Sequence, residues 1–328
     1  MVSSNDINPY AAIQIDKLKA KSECIKPLVV IRCMTYNHAA YICNALDGFV
    51  MQKTTFPFIA IIHDDASTDG TSDILKEYSE RYPDIIFPIF EKDNQYSKKD
   101  GSLRRIMTYA TKVTGASYVA LCEGDDFWTD PHKLQKQVSI MEKNPSITLT
   151  FHRIAKLNEK NCNRSGLGKV VENRKYDGIE WFQDRPSQTS SFVYRYTILT
   201  SELYNKVTNN PKFIVGDIPL VMTCAKLGSL YGLEDTMSTY RQHSGGWTAV
   251  KRNDEQRWKT IQMQLEYRIF GKEFEESSRY YAQKDAISYF LSDLKNGKLN
   301  LKFLKYSLSL SVSGTLKAFY KVIRHKNN

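Results

Sequence analysis

The stretch Phe58-Ile-Ala-Ile-Ile-His-Asp-Asp-Ala-Ser-Thr-Asp-Gly70 decides the fold. It opens as a short, mostly β-branched apolar run, the pattern of a strand buried on both faces. It then breaks into acidic, small and turn-forming residues. Ile74, Leu75, Tyr78 and Tyr82 follow at helical spacing until Pro83 stops them. Ser67 and Thr68 are expected to cap that helix. A buried strand, a tight turn and an amphipathic helix form the repeating unit of a parallel sheet with helical crossovers.

The unit recurs on both sides. Upstream, Leu28 to Met34 is a β-branched run after Pro27, and Ile42, Ala45, Leu46 and Phe49 share one helical face. Downstream, Ile85 to Phe90 is a strand, at an edge because Pro88 lacks an N–H. A helix over 101–114 ends at Gly115, and Ser117 to Cys122 is a fourth strand. Asp130-Pro131 is expected to start a helix bearing Leu134, Val138 and Met141, with Asp130 as its cap. The class is therefore α/β, with helices on both faces of the sheet. Polar residues 153–180 read as a loop, Gln188 to Arg195 as a strand with a polar start, and the chain from Asp254 on as helical.

The chain has 328 residues, enough for two domains or one enlarged domain. Hydrophobic content of 41% and charged content of 25% exclude wholesale disorder. No run approaches the ~18 apolar residues of a membrane span. Lys17, Lys19 and Lys21 stand where a signal peptide needs apolar residues, so none is expected. The six cysteines form no CxxC pair, which argues against a zinc ribbon or disulfide scaffold and for reduced thiols in a cytoplasmic protein. The net charge is +10, but the tail after Asp293 has no acidic residue and carries +8 of it. The body is accordingly not read as a nucleic-acid binder.

Ligands of such sheets bind beyond the carboxyl ends of the strands. Three places stand out there. Thr35-Tyr36-Asn37 follows the first strand. Asp64 and Asp65 follow the second, where a carboxylate can accept a hydrogen bond from a base N–H and small neighbours admit a nucleoside. Glu123-Gly124-Asp125-Asp126-Phe127-Trp128-Thr129-Asp130-Pro131 follows the fourth. Three carboxylates in four residues repel one another unless screened, and hard oxygen donors at a strand end suit Mg²⁺ or Mn²⁺. There is no P-loop, dinucleotide fingerprint, HExxH or GxSxG. The block from Asp65 begins like a calcium loop, but Lys76 occupies the position of its bidentate ligand.

Together these motifs resemble the family 2 glycosyltransferases, an inverting group with the GT-A fold, and in particular bacterial members with the Glu-Gly-Asp-Asp-Phe-Trp-Thr-Asp-Pro string. The resemblance covers about residues 27 to 250. It implies a GT-A domain (27–250) whose nucleotide-sugar half is 27–126 and acceptor half 127–250; outside it lie an N-terminal extension (1–26) and a C-terminal region (251–328) that the residue pattern makes helical. It implies a nucleoside lined by Thr35, Tyr36 and Asn37, and a base bound by Asp64 or Asp65. Glu123, Gly124 and Asp126 would also contact the nucleotide sugar, and Asp125 would hold the metal. Gly216-Asp217-Ile-Pro-Leu220 falls where the family carries its catalytic base, so Asp217 takes that role, with Glu234-Asp235 as a rival and a plain helix cap as the other reading. His243, ahead of Gly245, Gly246 and Trp247, would help hold metal or diphosphate. Thr189, Ser190, Ser191 and Trp128 would border the acceptor. The implied reaction is metal-assisted transfer from a nucleoside-diphosphate sugar to a glycan or lipid-linked saccharide. The alternatives are a nucleotidyltransferase and a non-catalytic sugar-nucleotide-binding protein.

The basic tail needs its own account. Leu301, Leu304, Leu308, Val312, Leu316, Phe319 and Ile323 recur at spacings of 3 or 4. Such a stripe among lysines reads as a helix lying on an anionic membrane, here over 295–328 at the inner face. It equally suits packing on the domain or an oligomer contact, and Ser307, Ser309, Ser311 and Ser313 alternate as in a strand.

Overall fold

The computed structural model describes residues 2–246 and 252–326. The chain forms two compact units. The first comprises residues up to Ser201 together with Leu227–Gly246, and the second Glu202–Lys226 together with the described residues beyond 251. The expected boundary at 250/251 and Trp247 lie outside the described residues.

The first unit is built on one sheet of ten strands: β1 (Val29–Thr35), β2 (Phe58–Asp64), β3 (Ile86–Phe90), β4 (Tyr118–Leu121), β5 (Phe127–Trp128), β6 (Ile147–Asn158), β7 (Asn163–Leu167), β8 (Arg174–Tyr176), β9 (Val193–Arg195) and β10 (Ser229–Gln242). The order is β3-β2-β1-β4-β9-β6-β10-β5, with β7 on β6 and β8 on β10. From β3 to β4 every pairing is parallel. This is the expected parallel sheet with helical crossovers, a Rossmann-like half, with Pro88 on the edge strand. Beyond it the sheet is mixed: β9 runs antiparallel to both β4 and β6, while β10 is parallel to β6.

The register Thr35↔Asp64 brings the carboxyl ends of β1 and β2 level. Ile31, Cys33, Ala60, Ile62 and Ala120 on one sheet face pack with Ala45, Leu46 and Phe49 of the helix Ile42–Val50 and with Leu134, Val138 and Met141 of the helix Lys133–Lys143. The N-terminal helix Pro9–Ile25 is capped by Asn8, whose side chain accepts from Ala11 N at 2.8 Å. Its Gln14 both donates to Phe90 O and accepts from Phe90 N, each at 2.9 Å, which satisfies open backbone groups of edge strand β3.

Three local expectations are corrected. The helix after β2 spans Thr71–Arg81 and starts from Gly70 at φ 99°, with no side-chain cap. Ser67 and Thr68 are engaged elsewhere. Asp130 is not a helix cap: its Oδ1 accepts from His132 N at 2.7 Å in a turn, and the helix begins at Lys133. The segment 153–180 is not one loop. It continues β6, returns as the antiparallel β7, and adds β8.

The second unit is helical. The helices Asp254–Glu266, Glu275–Lys295, Leu301–Leu310 and Val312–Lys326 bury Ile261, Ala286, Ile287, Phe290, Phe303 and Ala318. The alternating serines form no strand. Ser307 is buried with its hydroxyl 2.8 Å from that of Thr315, and Ser311 is an extended break between the last two helices. Gln283 adds a bond to the carbonyls of Ser307 and Ser311, which also accept from Ser311 N and Thr315 N, and so ties the helix Glu275–Lys295 to the break. Among the described residues, no helix is long and apolar enough to cross a membrane.

Candidate active site

The turns after β1 and β2 are laced together. Asn37, at φ 55°, donates its backbone N–H to Ser67 Oγ at 2.9 Å and accepts from Thr68 N through its side chain at 2.8 Å. His38 N donates to Thr71 Oγ1, and Ala39 N to Asp69 Oδ2, both at 2.9 Å. Small hydroxyl and carboxamide side chains are what such an arrangement requires, because each must reach a backbone amide across a short gap. Tyr36 is left 46% exposed beside this lattice, while Thr35 is buried with no partner for its hydroxyl.

Asp64 and Asp65 are both buried at the end of β2 but do different work. Asp64 accepts from Ser67 N and from the hydroxyl of Ser72. Asp65 accepts from the backbone N–H groups of Gln95 and Tyr96, at 2.6 and 3.0 Å, and so ties down the chain after β3.

The acidic loop after β4 closes against β1. Gly124 N donates to Met34 O at 3.0 Å, and a Cβ on Gly124 would lie 2.8 Å from Thr35 Oγ1 and 3.0 Å from His38 Nδ1. Only glycine fits there. Asp125 Oδ2 lies 3.0 Å from His243 Nε2, just past the end of β10. The sequence-predicted metal residues, 118 positions apart, thus meet. Asp126 is directed inward, where its carboxylate accepts from Arg241 N at 2.9 Å. Burial, with Asp125 beside it, pushes its carboxyl well above the usual range. Glu123 is half-buried.

Arg241 is the residue that sequence reasoning missed. It is buried, donates to Asp125 O at 2.9 Å and to Asn44 Oδ1 at 2.8 Å, and pairs with Glu159. The rings of Tyr41 and Phe127 each lie 5.0 Å from its guanidinium. The signal was strand alternation: residues 241 and 243 share a face of β10's continuation. His38 was also missed. Its Nδ1 is buried and unpartnered, and burial holds the imidazole below its ordinary pKa against the opposing charge of Asp125.

The acceptor residues separate. Trp128 and Ser190 are interior, joined by an indole N–H to Ser190 O bond of 2.9 Å, and Ser191 O accepts from Gln137 at 2.8 Å. Thr189 alone of this group is partly exposed. Asp217 belongs to the second unit, in the first turn of the helix Asp217–Leu227, and is half-buried. Glu234 and Asp235 lie on β10, and Asp235 pairs with Lys136 at 2.9 Å.

The pattern of glycosyl transferase family 2 matches residues 31–214. The chain belongs to this family. An uncharacterised protein of Mycobacterium tuberculosis is 35% identical to it over 228 residues, 69% of this chain and 62% of that one. An uncharacterised glycosyltransferase of Nostoc is 26% identical over 220 residues, 63% of this chain and 62% of that one. The chain therefore spans less than two thirds of the length of these curated relatives. Among solved structures, S. aureus TarS in complex with UDP superposes with a TM-score of 0.57 at 13% identity, covering 90% of this chain and 91% of that one. TarS in complex with UDP-GlcNAc gives the same TM-score at 14% identity, over 89% of this chain and 81% of that one. The fold of this family 2 member is accordingly GT-A. The family match takes in the ends of β1, β2 and β4, and Asp217 and His243 follow it.

Proposed function

We propose that the protein is an inverting glycosyltransferase. It moves a sugar, a hexose in the first instance, from a nucleoside-diphosphate sugar to a hydroxyl of a glycan or lipid-linked saccharide. The observation that carries this reading is the Asp125–His243 pair, 3.0 Å apart beside the laced turns after β1 and β2. The UDP and UDP-GlcNAc complexes of TarS support a UDP-sugar as donor.

One carboxylate oxygen and one imidazole nitrogen suit a divalent cation, Mn²⁺ or Mg²⁺, that keeps waters and shares its coordination with a diphosphate. Among the described residues, no group of three or more His, Cys, Asp or Glu side chains is arranged to hold a metal ion by itself. A cation held by Asp125 and His243 would neutralise the charge that grows on the leaving diphosphate. The rest falls to the chain itself. Thr35, Tyr36 and Asn37 line the nucleoside, and Asp64 or Asp65 accepts from the base. Glu123 and Gly124 border the ribose and diphosphate, Asp126 fixes the loop through Arg241, and Thr189 borders the acceptor. Asp217 takes the proton of the acceptor hydroxyl as that oxygen attacks the anomeric carbon from the face opposite the leaving group.

The test is turnover of a panel of nucleotide sugars with Mn²⁺ or Mg²⁺, read as released nucleoside diphosphate. Asp217→Asn is expected to keep donor affinity while activity falls about 10²–10⁴-fold, the usual worth of a general base. Tight donor binding without turnover would leave a binding protein. Pyrophosphate release from a sugar phosphate and a nucleoside triphosphate would make it a nucleotidyltransferase.

A further inference from the structure

The apolar stripe of the tail does not act as one. Leu304 and Phe319 turn inward and pack with the helices of the second unit. Val312, Leu316, Tyr320 and Ile323 turn outward, at 62%, 65%, 65% and 49% exposure. At 3.6 residues per turn these four fall within an arc of about 80°. The preceding helix repeats the arrangement with Leu301 and Leu308, each about two-fifths exposed. Beside the apolar residues stand the exposed Lys302, Lys305 and Lys317, while the exposed Lys321 holds its ammonium 5.4 Å from the Tyr280 ring centroid, and no acidic side chain occurs after Asp293.

We propose that this face docks on a membrane through anionic lipid headgroups. An outward apolar strip edged by lysines lets apolar side chains enter the acyl boundary while the ammonium groups stay among phosphates. Charge selects this occupant. A second copy of the chain would set lysines against lysines, with no acidic residue of the tail to answer them. A nucleic acid would use the lysines and leave the apolar strip in water. The inference does not depend on the proposed transfer reaction.

The experiment is co-sedimentation of the full chain with vesicles of phosphatidylglycerol and phosphatidylcholine, and of phosphatidylcholine alone, at low and physiological salt. Binding is expected only to the anionic vesicles, weakening with salt. Leu316→Glu is expected to weaken it at least about tenfold, since an inserted leucine is lost. Lys302→Glu and Lys317→Glu should each weaken it about fivefold or more. All three positions are exposed, so melting temperature and donor turnover in solution stay unchanged. The proposal is overturned by no binding to anionic vesicles at low salt, by equal binding to neutral ones, or by binding indifferent to Leu316→Glu. Self-association that Leu316→Glu abolishes would also overturn it, since the occupant would then be a second copy. Turnover measured on the same samples reports separately on the catalytic reading.

Discussion

Asp65 and Asp125 both sit at strand ends, yet their losses should look different. Asp65→Ala would leave the buried N–H of Gln95 and the partly buried N–H of Tyr96 without acceptors. At about 1–3 kcal/mol for a buried unsatisfied group, and less for the partly exposed one, the cost should be roughly 2–4 kcal/mol, seen as a lower urea midpoint without any nucleotide present. An unchanged midpoint would free Asp65 from that duty. Asp125→Ala removes one half of a mostly buried pair, 21% exposed at Asp125 and 7% at His243, but also one of three clustered carboxylates whose repulsion its loss relieves. It should lower the midpoint less than Asp65→Ala does and abolish both the effect of added Mn²⁺ on nucleotide binding and sugar transfer, by calorimetry and turnover. Normal activity in a chelator would end the metal reading. Residue types at strand ends were legible in the sequence, because carboxylates there exceed what a turn needs. Their partners were not. That Asp65 is tied to a segment 30 residues on, or Asp126 to Arg241 N, follows from tertiary register and leaves no local mark.

At the scale of elements, the parallel half of the sheet was legible because each strand is a continuous apolar run followed by a helix with one apolar face. The mixed half was not. β7 and β8 are polar and short; β7 buries no side chain and β8 only Tyr176, so they form chiefly by pairing with β6 and β10. The caps at Ser67 and Thr68 were misread because the Ser67 hydroxyl and the Thr68 N–H bind Asn37 across a gap that sequence does not show. The helix Lys133–Lys143 carries a further surprise. Lys133 is fully buried, its ammonium 2.7 Å from Gln137 Oε1 and 4.1 Å from the Trp128 ring centroid, and burial lowers its pKa to about 7. The unfolded chain holds that proton up to about 10.4, so between about pH 7 and 10 the unfolded state binds more protons. Stability contributed by this group therefore rises with pH across that window and levels off below about pH 7, where both states hold the proton. Urea midpoints taken from pH 7 to 9.5 should climb by on the order of 1 kcal/mol per pH unit more in the wild type than in Lys133→Met. Parallel slopes would show that the ammonium finds compensation in the fold.

At the scale of the whole molecule, the residues assigned to the donor and those assigned to the acceptor proton divide between two units, which the linear order conceals. Thr35, Asp64, Asp65, Asp125 and His243 all belong to the first unit, and Asp217 to the second. A linear reading places Asp217 inside the sheet domain, because contact between Glu202–Lys226 and the late helices leaves no local pattern. Within the second unit the attachments are specific. Phe213 packs on Tyr267 with ring centroids 5.3 Å apart, Lys212 pairs with Glu266 at 2.8 Å, and Lys226 pairs with Glu273 at 3.1 Å. A chain ending at Gly246 would remove each of these partners while keeping every donor residue. Such a chain is expected to bind UDP with an affinity close to that of the full chain, because the lattice around Asn37 and the Asp125–His243 pair is complete within the first unit. It is expected to lose transfer to the acceptor, because the helix carrying Asp217 no longer has its neighbours. Calorimetry with UDP and a turnover assay on both chains would check this. If the shortened chain fails to bind UDP although its circular dichroism still shows a folded α/β protein, the donor site is not contained in the first unit. If it transfers sugar at the full rate, the proton acceptor lies elsewhere than Asp217, and Glu234 and Asp235 on β10 become the residues to substitute next.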